Sequence, residues 1–386
     1  MVHDISTSIT ESGNVVDSVT YNYRHKRIVI DGICYLECSL WHILLQLTKC
    51  ISIRHFFLTL KNYKLSTSNM IRLLYCWFLT GYLKELIRQS NYDIVHFHSI
   101  NYATNFWIAM CKELNQPYLI TLHALTSFSD TVKIESEGKK YERDFFNRVI
   151  SEKIPITVVG SGMKHLIEKT CNIGSCENIM VVLNAFTVSQ NINGKYYDIR
   201  KKYSLPSDSK IILYVGNVCE RKNQNQLITA FDYLPDNIKN NLYILFLGES
   251  KEPGYKIEEL IKNSSYQDHF KYCGVVPKKE LAEYYNQGNA VALLSLSEAF
   301  GLSLVEGMFF GLPCIAFDDI DAIADIYDES SMVCVEEHND SAVAKGIVTL
   351  LSKQWSKQAI RAYSEKFDRK KMAEAYIRIY EKLIKR

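Results

Sequence analysis

The sequence predicts an α/β protein with two doubly wound parallel-sheet domains. Short apolar runs alternate with segments whose apolar residues recur every three or four positions, first over 92–183 and again over 211–335. This alternation is typical of parallel strands joined by helices that cover both faces of a sheet. A polar stretch, 187–206, separates the two series, and 386 residues are enough for two cores. We therefore expect an N-terminal domain over 1–195, a C-terminal domain over 206–365 and a terminal segment over 366–386.

Local patterns predict the elements of the N-terminal domain. Residues 1–20 are polar and are expected to be peripheral or poorly ordered, and Arg27–Asp31 is a short strand candidate. Helices are expected where apolar residues recur at helical spacing, over 38–60, 68–90, 101–115, 139–153 and 161–169. Strands are expected for the apolar runs at 92–98, 117–123, 155–160 and 179–183.

The C-terminal domain repeats the alternation. Its predicted strands are 211–215, 243–247, 270–273, 291–296, 314–317 and 332–335. The last predicted helix, about 364–384, carries many charges and an apolar face.

The composition excludes several classes of protein. Apolar residues make up 47% and charged residues 23%, and the net charge of +2 gives no field that would favour nucleic acid. The 11 cysteines are scattered without a C-x-x-C pair, which indicates buried thiols in a reducing compartment. The first 25 residues are polar and no 18-residue apolar run is present, so a cytoplasmic protein without a spanning helix is expected.

The segment 51–90 combines basic and apolar residues. Its charged side chains are six basic residues and one acidic residue: Arg54, Lys61, Lys64, Arg72, Lys84 and Arg88 against Glu85. Phenylalanine, leucine and tryptophan lie between them. Two interpretations stay open: a peripheral contact with an anionic membrane surface, or a half-buried helix pair that covers the sheet.

The segment 291–316 is the strongest candidate for a ligand site. An apolar strand, Val291–Leu296, runs into a glycine turn, then a helix from Leu302, and Gly311-Leu312-Pro313 ends that helix. Ligands of doubly wound sheets bind outside the carboxyl ends of the strands, where a helix N-terminus suits a phosphate. The backbone N–H groups of Phe300, Gly301 and Leu302 would donate hydrogen bonds to an anion.

Two carboxylates flank this turn, Glu298 at the strand end and Glu306 in the helix. A carboxylate accepts two hydrogen bonds side by side and so matches a vicinal diol of a ribose or a hexose. A bare E-x7-E spacing is more often a surface pair beside an ordinary helix. The strand–glycine turn–helix context favours a site for a sugar–phosphate compound.

The run from Glu298 to Gly307, followed by Gly311-Leu312-Pro313, resembles the signature of the retaining glycosyltransferases of family 4. The resemblance implies the GT-B fold, two Rossmann-like domains that face each other across a cleft. In that family a terminal helix often crosses back onto the first domain. The resemblance also implies that Glu298 faces the donor sugar and that Glu306 holds the ribose of the nucleotide.

The residues after the first strand of the C-terminal domain are similar to a second family element, strand–Gly–Arg–x4–Lys. Its glycine falls on Gly216, its lysine on Lys222 and its arginine on Asn217, so one cation of the pattern is absent. The resemblance implies that Lys222 neutralises the diphosphate leaving group. The loops Leu247–Ser250 and Cys273–Pro277, the second with Val275, resemble the glycine loops that flank the nucleobase.

Three histidines end neighbouring strands of the N-terminal domain. His123, in Thr121-Leu122-His123, matches a family position near the reacting end of the donor, where a neutral imidazole could orient a sugar hydroxyl or receive a proton. His98 stays open between a functional and a structural role. His96 is expected on the other face of its strand, in a structural role.

Two further motifs are disfavoured. Gly160-Ser161-Gly162 follows a strand but lacks the third glycine of G-x-G-x-x-G, so it is interpreted as a strand-to-helix turn with Ser161 or a neighbour as N-cap. Asp319 and Asp321 form a D-x-D pair, which binds a metal and a diphosphate in other glycosyltransferase folds, but they follow a strand in an acidic loop. No cluster has zinc-ligand spacing.

The leading hypothesis is a retaining, metal-independent glycosyltransferase. It would use a nucleotide-diphospho-sugar donor and no further cofactor, and act on a glycan or a lipid-linked acceptor of bacterial surface polysaccharide, such as capsule or lipopolysaccharide. Glu298 and His123 are the catalytic candidates. The N-terminal strand and Gly-Gly loop of the family are not evident in 1–35.

Two alternatives remain, a sugar-nucleotide epimerase of similar fold and a non-catalytic nucleotide-sugar-binding protein. A glycosidase that uses the two glutamates is disfavoured, because glycosidase carboxylates face each other across the scissile bond.

Overall fold

The computed structural model describes residues 2–20, 27–36, 53–125, 136–186, 198–250, 252 and 254–385. The chain divides into two compact units. The first unit comprises Met1–Val159, Met163–Val182 and Arg369–Arg386, and the second comprises Gly160–Gly162 and Leu183–Asp368. Residues 187–197 of the expected hinge lie outside the described residues, so a hinge there stays a prediction.

The N-terminus forms a helix, Val2–Glu11, in place of the peripheral segment that its polar sequence predicted. Ile5 and Ile9 are buried four residues apart on one face of this helix, which packs against the terminal helix Arg369–Ile384. Arg369 bonds to the side chains of Ser8 and Glu11, at 3.3 Å and 3.1 Å. The apolar stripe of this helix is short and lies among serines and threonines. The helix therefore depends on packing against the terminal helix, which is distant in the sequence.

The predicted strand Arg27–Asp31 does not join the main sheet of the first unit. The strands β1 (Asp17–Ser18), β2 (Ile28–Ile30) and β3 (Ile33–Tyr35) form a separate sheet in the order β1-β3-β2. β1 pairs with β3 in parallel, and β2 with β3 in an antiparallel hairpin. All three residues of β2 are exposed, so its apolar run does not mark a core strand.

Helices Ile53–Asn62 and Thr67–Ser90 follow. Residues 38–52 of the first predicted helix lie outside the described ranges. The longer helix begins after Ser66, whose hydroxyl accepts from the backbone N–H of Asn69, and ends at Asn91 in the left-handed region. Among the described helices, none is both long and apolar enough to cross a membrane.

The main sheet of the first unit is parallel and runs in chain order. Its strands are β4 (Val95–His98), β5 (Tyr118–Leu122), β6 (Ile156–Val158) and β7 (Ile179–Val181). The helices Thr104–Leu114, Ser136–Ser151 and Ser161–Thr170 connect them. β5 and β6 are almost wholly buried, as expected for parallel strands covered on both faces.

The second unit holds a six-stranded parallel sheet in the order β10-β9-β8-β11-β12-β13. The strands are β8 (Lys210–Val215), β9 (Leu242–Leu247), β10 (Phe270–Gly274), β11 (Ala290–Leu293), β12 (Cys314–Phe317) and β13 (Met332–Val335). This order is that of a doubly wound dinucleotide-binding fold. The predicted α/β class with parallel sheets is therefore confirmed.

Helices cover this sheet at Ile199–Lys202, Asn225–Ala230, Asp236–Lys239, Ile257–Lys262, Lys278–Gln287, Leu302–Phe309, Ile323–Ile326, Asp340–Ser352 and Lys357–Ser364. Short 3₁₀ turns lie at Glu220–Lys222, Phe231–Tyr233, Gln267–His269 and Glu365–Phe367. The last of these turns separates Lys357–Ser364 from the terminal helix, which begins at Arg369 rather than near residue 364.

Candidate functional site

The sheet of the second unit reverses its strand order between β8 and β11. From β8 the chain proceeds outward through β9 and β10, and from β11 it proceeds the other way through β12 and β13. Ligands of doubly wound sheets bind at such a reversal, outside the carboxyl ends of the strands. The backbone N–H of Leu296 donates to the carbonyl of Arg221 at 2.9 Å, which joins the segments that follow these two strands.

Lys222 and Glu298 form an ion pair at this point. The ammonium group of Lys222 is in direct contact with Glu298 Oε2, and the two side chains are only 12% and 15% exposed. Arg221 Nη1 lies 3.6 Å from the same oxygen and donates to the carbonyl of Ser297 at 2.6 Å. Two cations therefore converge on one carboxylate, which lies 76 residues after Lys222 along the chain.

Glu306 is buried in the helix Leu302–Phe309, where the hydroxyl of Tyr285 donates to its Oε2 at 2.9 Å. The ring of Tyr285 is fully buried and stacks on Phe310 with centroids 5.2 Å apart. Burial and the Glu306 charge raise the pKa of Tyr285 well above its usual value, so the phenol keeps its proton and stays a donor. Glu306 is thus an oriented acceptor, which suits a diol.

Sequence reasoning missed Tyr285. Tyr285 lies on the buried face of the helix Lys278–Gln287, which a sequence pattern can indicate. Such a pattern does not identify the carboxylate that accepts the hydrogen bond from its hydroxyl.

Gly301 turns the chain into the helix Leu302–Phe309. It adopts φ 74° and ψ 49°, in the left-handed region that favours glycine. The first N–H groups of a helix lack intrahelical acceptors, and a glycine N-cap has no side chain to cover them. The amides of Gly301 and Leu302 therefore suit an anion. The ring of Phe300 packs into the core edge-on to Phe367, with centroids 5.7 Å apart, so Phe300 can serve a ligand only through its backbone.

Gly216 and Asn217 follow β8 directly. A Cβ on Gly216 would lie 3.6 Å from Cε of Lys222, which places this glycine beside the lysine side chain. Asn217 is exposed, and its carbonyl accepts a hydrogen bond from the side chain of Gln224 at 2.9 Å. Val275 is 67% exposed after β10, two strands away from β8, so the structure does not bring it to the Lys222–Glu298 pair.

The glycine loops after β8, β9 and β10 are packed backbone to backbone. A Cβ on Gly248 would lie 1.9 Å from the carbonyl oxygen of Gly216, so only glycine fits there. The N–H of Gly248 donates to the carbonyl of Gly274 at 2.9 Å. The first contact explains the glycine at 248 structurally. That the loops Leu247–Ser250 and Cys273–Pro277 flank a nucleobase stays a prediction.

His123 belongs to a histidine cluster in the first unit. His98 Nδ1 and His123 Nε2 are 3.0 Å apart and share one hydrogen bond. Burial lowers the pKa of His123 to about 4 and that of His98 to about 3, with mutual repulsion adding to the second shift. Both imidazoles are therefore neutral at pH 7. Nδ1 of His123 is buried without a hydrogen-bond partner in the described part of the chain.

The expectation that His96 lies on the other face of β4 is wrong. Its ring centroid is 4.2 Å from that of His98, because residues two apart on a strand share a face. His96 hydrogen-bonds to the Tyr380 hydroxyl at 2.7 Å and to the Thr121 hydroxyl at 2.6 Å. His96 is thus a half-buried residue with structural hydrogen-bond partners, as expected, but it packs directly against the functional candidate His98.

The disfavoured motifs have structural partners. The backbone N–H of Ser161 donates to Asp325 Oδ2 at 2.6 Å, so a carboxylate already meets the amide of the Gly160–Gly162 turn. Asp319 bonds to Nε2 of His338 at 3.0 Å and 3.1 Å. Within the described ranges, no group of three or more His, Cys, Asp or Glu side chains could hold a metal ion.

The helices Ile53–Asn62 and Thr67–Ser90 are partly buried and partly exposed. Leu73, Cys76 and Leu79 face the interior, and Lys84 is buried with its ammonium 2.5 Å from Glu113, so this lysine is not part of a basic surface. Large apolar and basic residues are exposed on these helices and in the segment between them: Phe57, Leu58, Met70, Ile71, Leu74, Lys61, Lys64 and Arg72. We call these eight residues the apolar–basic patch.

Two family models match the chain. The model described as "Glycosyl transferases group 1" matches residues 196–367, and "Glycosyltransferase Family 4" matches residues 62–189. Among curated proteins, the D-inositol 3-phosphate glycosyltransferase of Xylanimonas cellulosilytica is 24% identical over 331 residues, which cover 81% of this chain and 77% of that protein.

Solved structures show the same fold. A glycosyltransferase from Rickettsia africae superimposes with a TM-score of 0.73 at 18% identity and covers 99% of this chain and 94% of its own. HepE from Anabaena, solved in complex with UDP-glucose, has a TM-score of 0.62 at 14% identity. The match covers 79% of this chain and 82% of the HepE chain. These likenesses show the GT-B fold that the sequence signature implied.

Proposed function

Since this chain belongs to the glycosyltransferases of group 1 and family 4, we propose that it is a retaining enzyme that uses a nucleotide-diphospho-sugar. The acceptor would be a glycan or a lipid-linked glycan of bacterial surface polysaccharide. The observation that carries the proposal is the arrangement at the reversal of the second sheet, where Lys222 and Glu298 meet beside the Gly301 turn. The UDP-glucose complex of the HepE structure supports the donor class.

The donor's charges and hydroxyls match the residues that surround this point. Negative charge grows on the diphosphate as the sugar–phosphate bond loosens, and Lys222 with the amides of Gly301 and Leu302 would stabilise it. The buried carboxylate of Glu306, held by Tyr285, would accept both hydroxyls of the ribose. Glu298 would bind the donor sugar on the side where positive charge develops.

His123 is the proposed hydroxyl-binding group of the first unit. Its depressed pKa keeps the ring neutral, so it can accept or donate a hydrogen bond without adding charge to the reaction. In the proposed retaining mechanism the leaving phosphate takes the proton of the acceptor hydroxyl, and no protein base is assigned. Because Lys222 and the backbone amides carry the neutralising role, activity is expected to survive EDTA.

The donor site is tested by ligand-observed NMR with UDP-, GDP- and ADP-sugars. We expect one nucleotide class to bind the wild type and to be lost in Glu306→Ala, with Glu306→Gln as a second variant that preserves volume. Lys210→Ala is the matched control, because it removes a charge at the opposite end of β8. If no nucleotide sugar binds, or if Glu306→Ala binds like the wild type, the proposed donor site is wrong.

The same binding experiment separates the alternatives. Release of an altered nucleotide sugar without acceptor would identify an epimerase. Binding with no turnover on any glycan acceptor would favour the non-catalytic binding protein.

We also propose that the apolar–basic patch contacts the anionic inner face of the cell membrane, where a lipid-linked acceptor would lie. The exposed fractions of Phe57 and Ile71, 58% and 65%, are large for apolar side chains. Lys61 and Arg72 are exposed on the same two helices, and Lys64 is exposed in the segment between them. Apolar insertion combined with basic charge is the pattern that binds anionic lipid.

Vesicle sedimentation tests this contact. We expect binding to vesicles that contain phosphatidylglycerol, weaker binding to pure phosphatidylcholine, and loss of binding in a Phe57→Glu, Ile71→Glu variant. Tyr233→Glu, which alters an exposed aromatic residue of the second unit, is the control and should bind normally. Equal binding by the patch variant and the wild type would show that another surface, or none, meets the membrane.

A further inference from the structure

The pairing of Lys222 with Glu298 has a consequence for ligand binding. The ammonium group of Lys222 is in contact with the Glu298 carboxylate, and both side chains are more than four-fifths buried. Arg221 lies 3.6 Å from the same carboxylate oxygen. A carboxylate is thus paired with Lys222, the cation to which the proposed function assigns the diphosphate.

We propose that Glu298 is a resident counter-ion which holds Lys222 and Arg221 until the donor diphosphate replaces it. This inference rests on the proposed function. A largely buried cation without an anion is unfavourable, so the contact with Glu298 stabilises Lys222. When a diphosphate arrives, its oxygens and the Glu298 carboxylate compete for the same ammonium group, and like charges at short range repel. Glu298 must give up this contact before it can meet the donor sugar.

This exchange predicts that Glu298 weakens binding of the donor's diphosphate and strengthens binding of its sugar. For a nucleoside diphosphate, which has no sugar for Glu298 to bind, the carboxylate only competes. For the complete nucleotide sugar, loss of the Lys222 contact is offset by new hydrogen bonds to sugar hydroxyls. Removal of the charge at position 298 should therefore favour the nucleoside diphosphate over the complete nucleotide sugar.

The experiment is calorimetric titration of UDP, GDP and ADP, and of the matching nucleotide sugar, into the wild type and Glu298→Gln. Glutamine preserves the shape of the side chain and removes its charge. We expect the nucleoside diphosphate to bind the variant roughly tenfold more tightly. The nucleotide sugar should gain less than that or bind more weakly.

Two variants provide controls. Glu220→Gln removes the same charge from an exposed residue of the Lys222 turn without breaking the pair, and should change affinity far less. In a Lys222→Met background, Glu298→Gln should no longer tighten binding, because the competition needs the ammonium group. Thermal melting of each variant checks that the fold is retained.

The outcomes distinguish this inference from the proposed function. If the wild type binds a nucleoside diphosphate and Glu298→Gln binds it equally or more weakly, Glu298 is no counter-ion and the inference fails while the donor site stands. If neither protein binds any of the three, both are wrong. Binding by Glu298→Gln alone would support the inference, since the resident carboxylate would then account for the weak binding of the wild type.

Discussion

The histidine pair of the first unit shows how burial sets the chemistry of single residues. His98 and His123 share one hydrogen bond, and each must hold a single proton on its ring at neutral pH. Their tautomers are therefore linked: the nitrogen that donates in one ring obliges the other to accept. His98, ambiguous from sequence, thus determines whether Nδ1 of His123, the nitrogen outside this hydrogen bond, is a donor or an acceptor.

The same burial makes the first unit sensitive to acid. In the unfolded chain these histidines titrate near 6.5, whereas the pKa is about 4 for His123 and about 3 for His98 in the folded protein. Between pH 6.5 and 4 the unfolded state therefore binds more protons, so the free energy of unfolding falls as the pH is lowered through this window.

Urea unfolding at pH 7 and pH 5 measures this dependence. We expect His98→Phe, which keeps an aromatic ring beside His96 and removes one of the titrating groups, to lose less stability between the two pH values than the wild type. His165→Gln, at an exposed position, should behave as the wild type. An equal loss in wild type and His98→Phe would show that other groups govern the acid response.

At the scale of elements, the helix Leu302–Phe309 is placed by its contact with β11. A Cβ on Gly307 would lie 2.5 Å from Cγ2 of Val291, so the helix lies against the strand as closely as glycine permits. Glu306 immediately precedes this contact. The position of Glu306, the predicted hydrogen-bond acceptor for the ribose, therefore depends on the packing of this helix against β11.

Gly307→Ala tests that dependence. Alanine favours a helix over glycine by about 1 kcal/mol, but forcing a methyl group into a packed contact costs about 1–3 kcal/mol. We expect a net loss of stability of about 1 kcal/mol and weaker nucleotide binding, measured by denaturation midpoint and by NMR titration. Gly174→Ala, where a Cβ meets nothing within 4 Å, should leave both unchanged. Unchanged nucleotide binding in Gly307→Ala would show that the position of Glu306 does not depend on the contact between Gly307 and Val291.

The sequence predicted those elements that carry their own pattern. The strand before Glu298 and the glycine-ended helix after it are recognisable locally, because an apolar run, a glycine turn and a Gly-Leu-Pro stop follow one another. The Lys222–Glu298 pair depends on β8 lying next to β11, which the order of elements along the chain does not determine. The helix Val2–Glu11 was missed because its apolar pattern is limited to two buried isoleucines and the helix packs against the last helix of the chain.

At the scale of the molecule, each unit has its own parallel sheet and its own buried residues, but the residues proposed to bind the donor nucleotide lie in one unit. Lys222, Glu298, Gly301 and Glu306 all belong to the second unit, whereas His98 and His123 belong to the first. A ligand stabilises only the conformations to which it binds. Binding of the donor nucleotide should therefore stabilise the sheet of the second unit more than the sheet of the first.

Hydrogen exchange with and without nucleotide tests this division. At a ligand concentration about 100-fold above Kd, binding should stabilise the second unit by about 2.7 kcal/mol, so the amides of β8, β9 and β11 that exchange through unfolding of that unit should slow about a hundredfold. The amides of β4 to β7 should change much less. Glu306→Ala, exposed to the same nucleotide, is the control and should show no slowing. Equal slowing in both sheets would mean that the units unfold together, and slowing confined to the first unit would place the nucleotide there and overturn the assignment of Glu306.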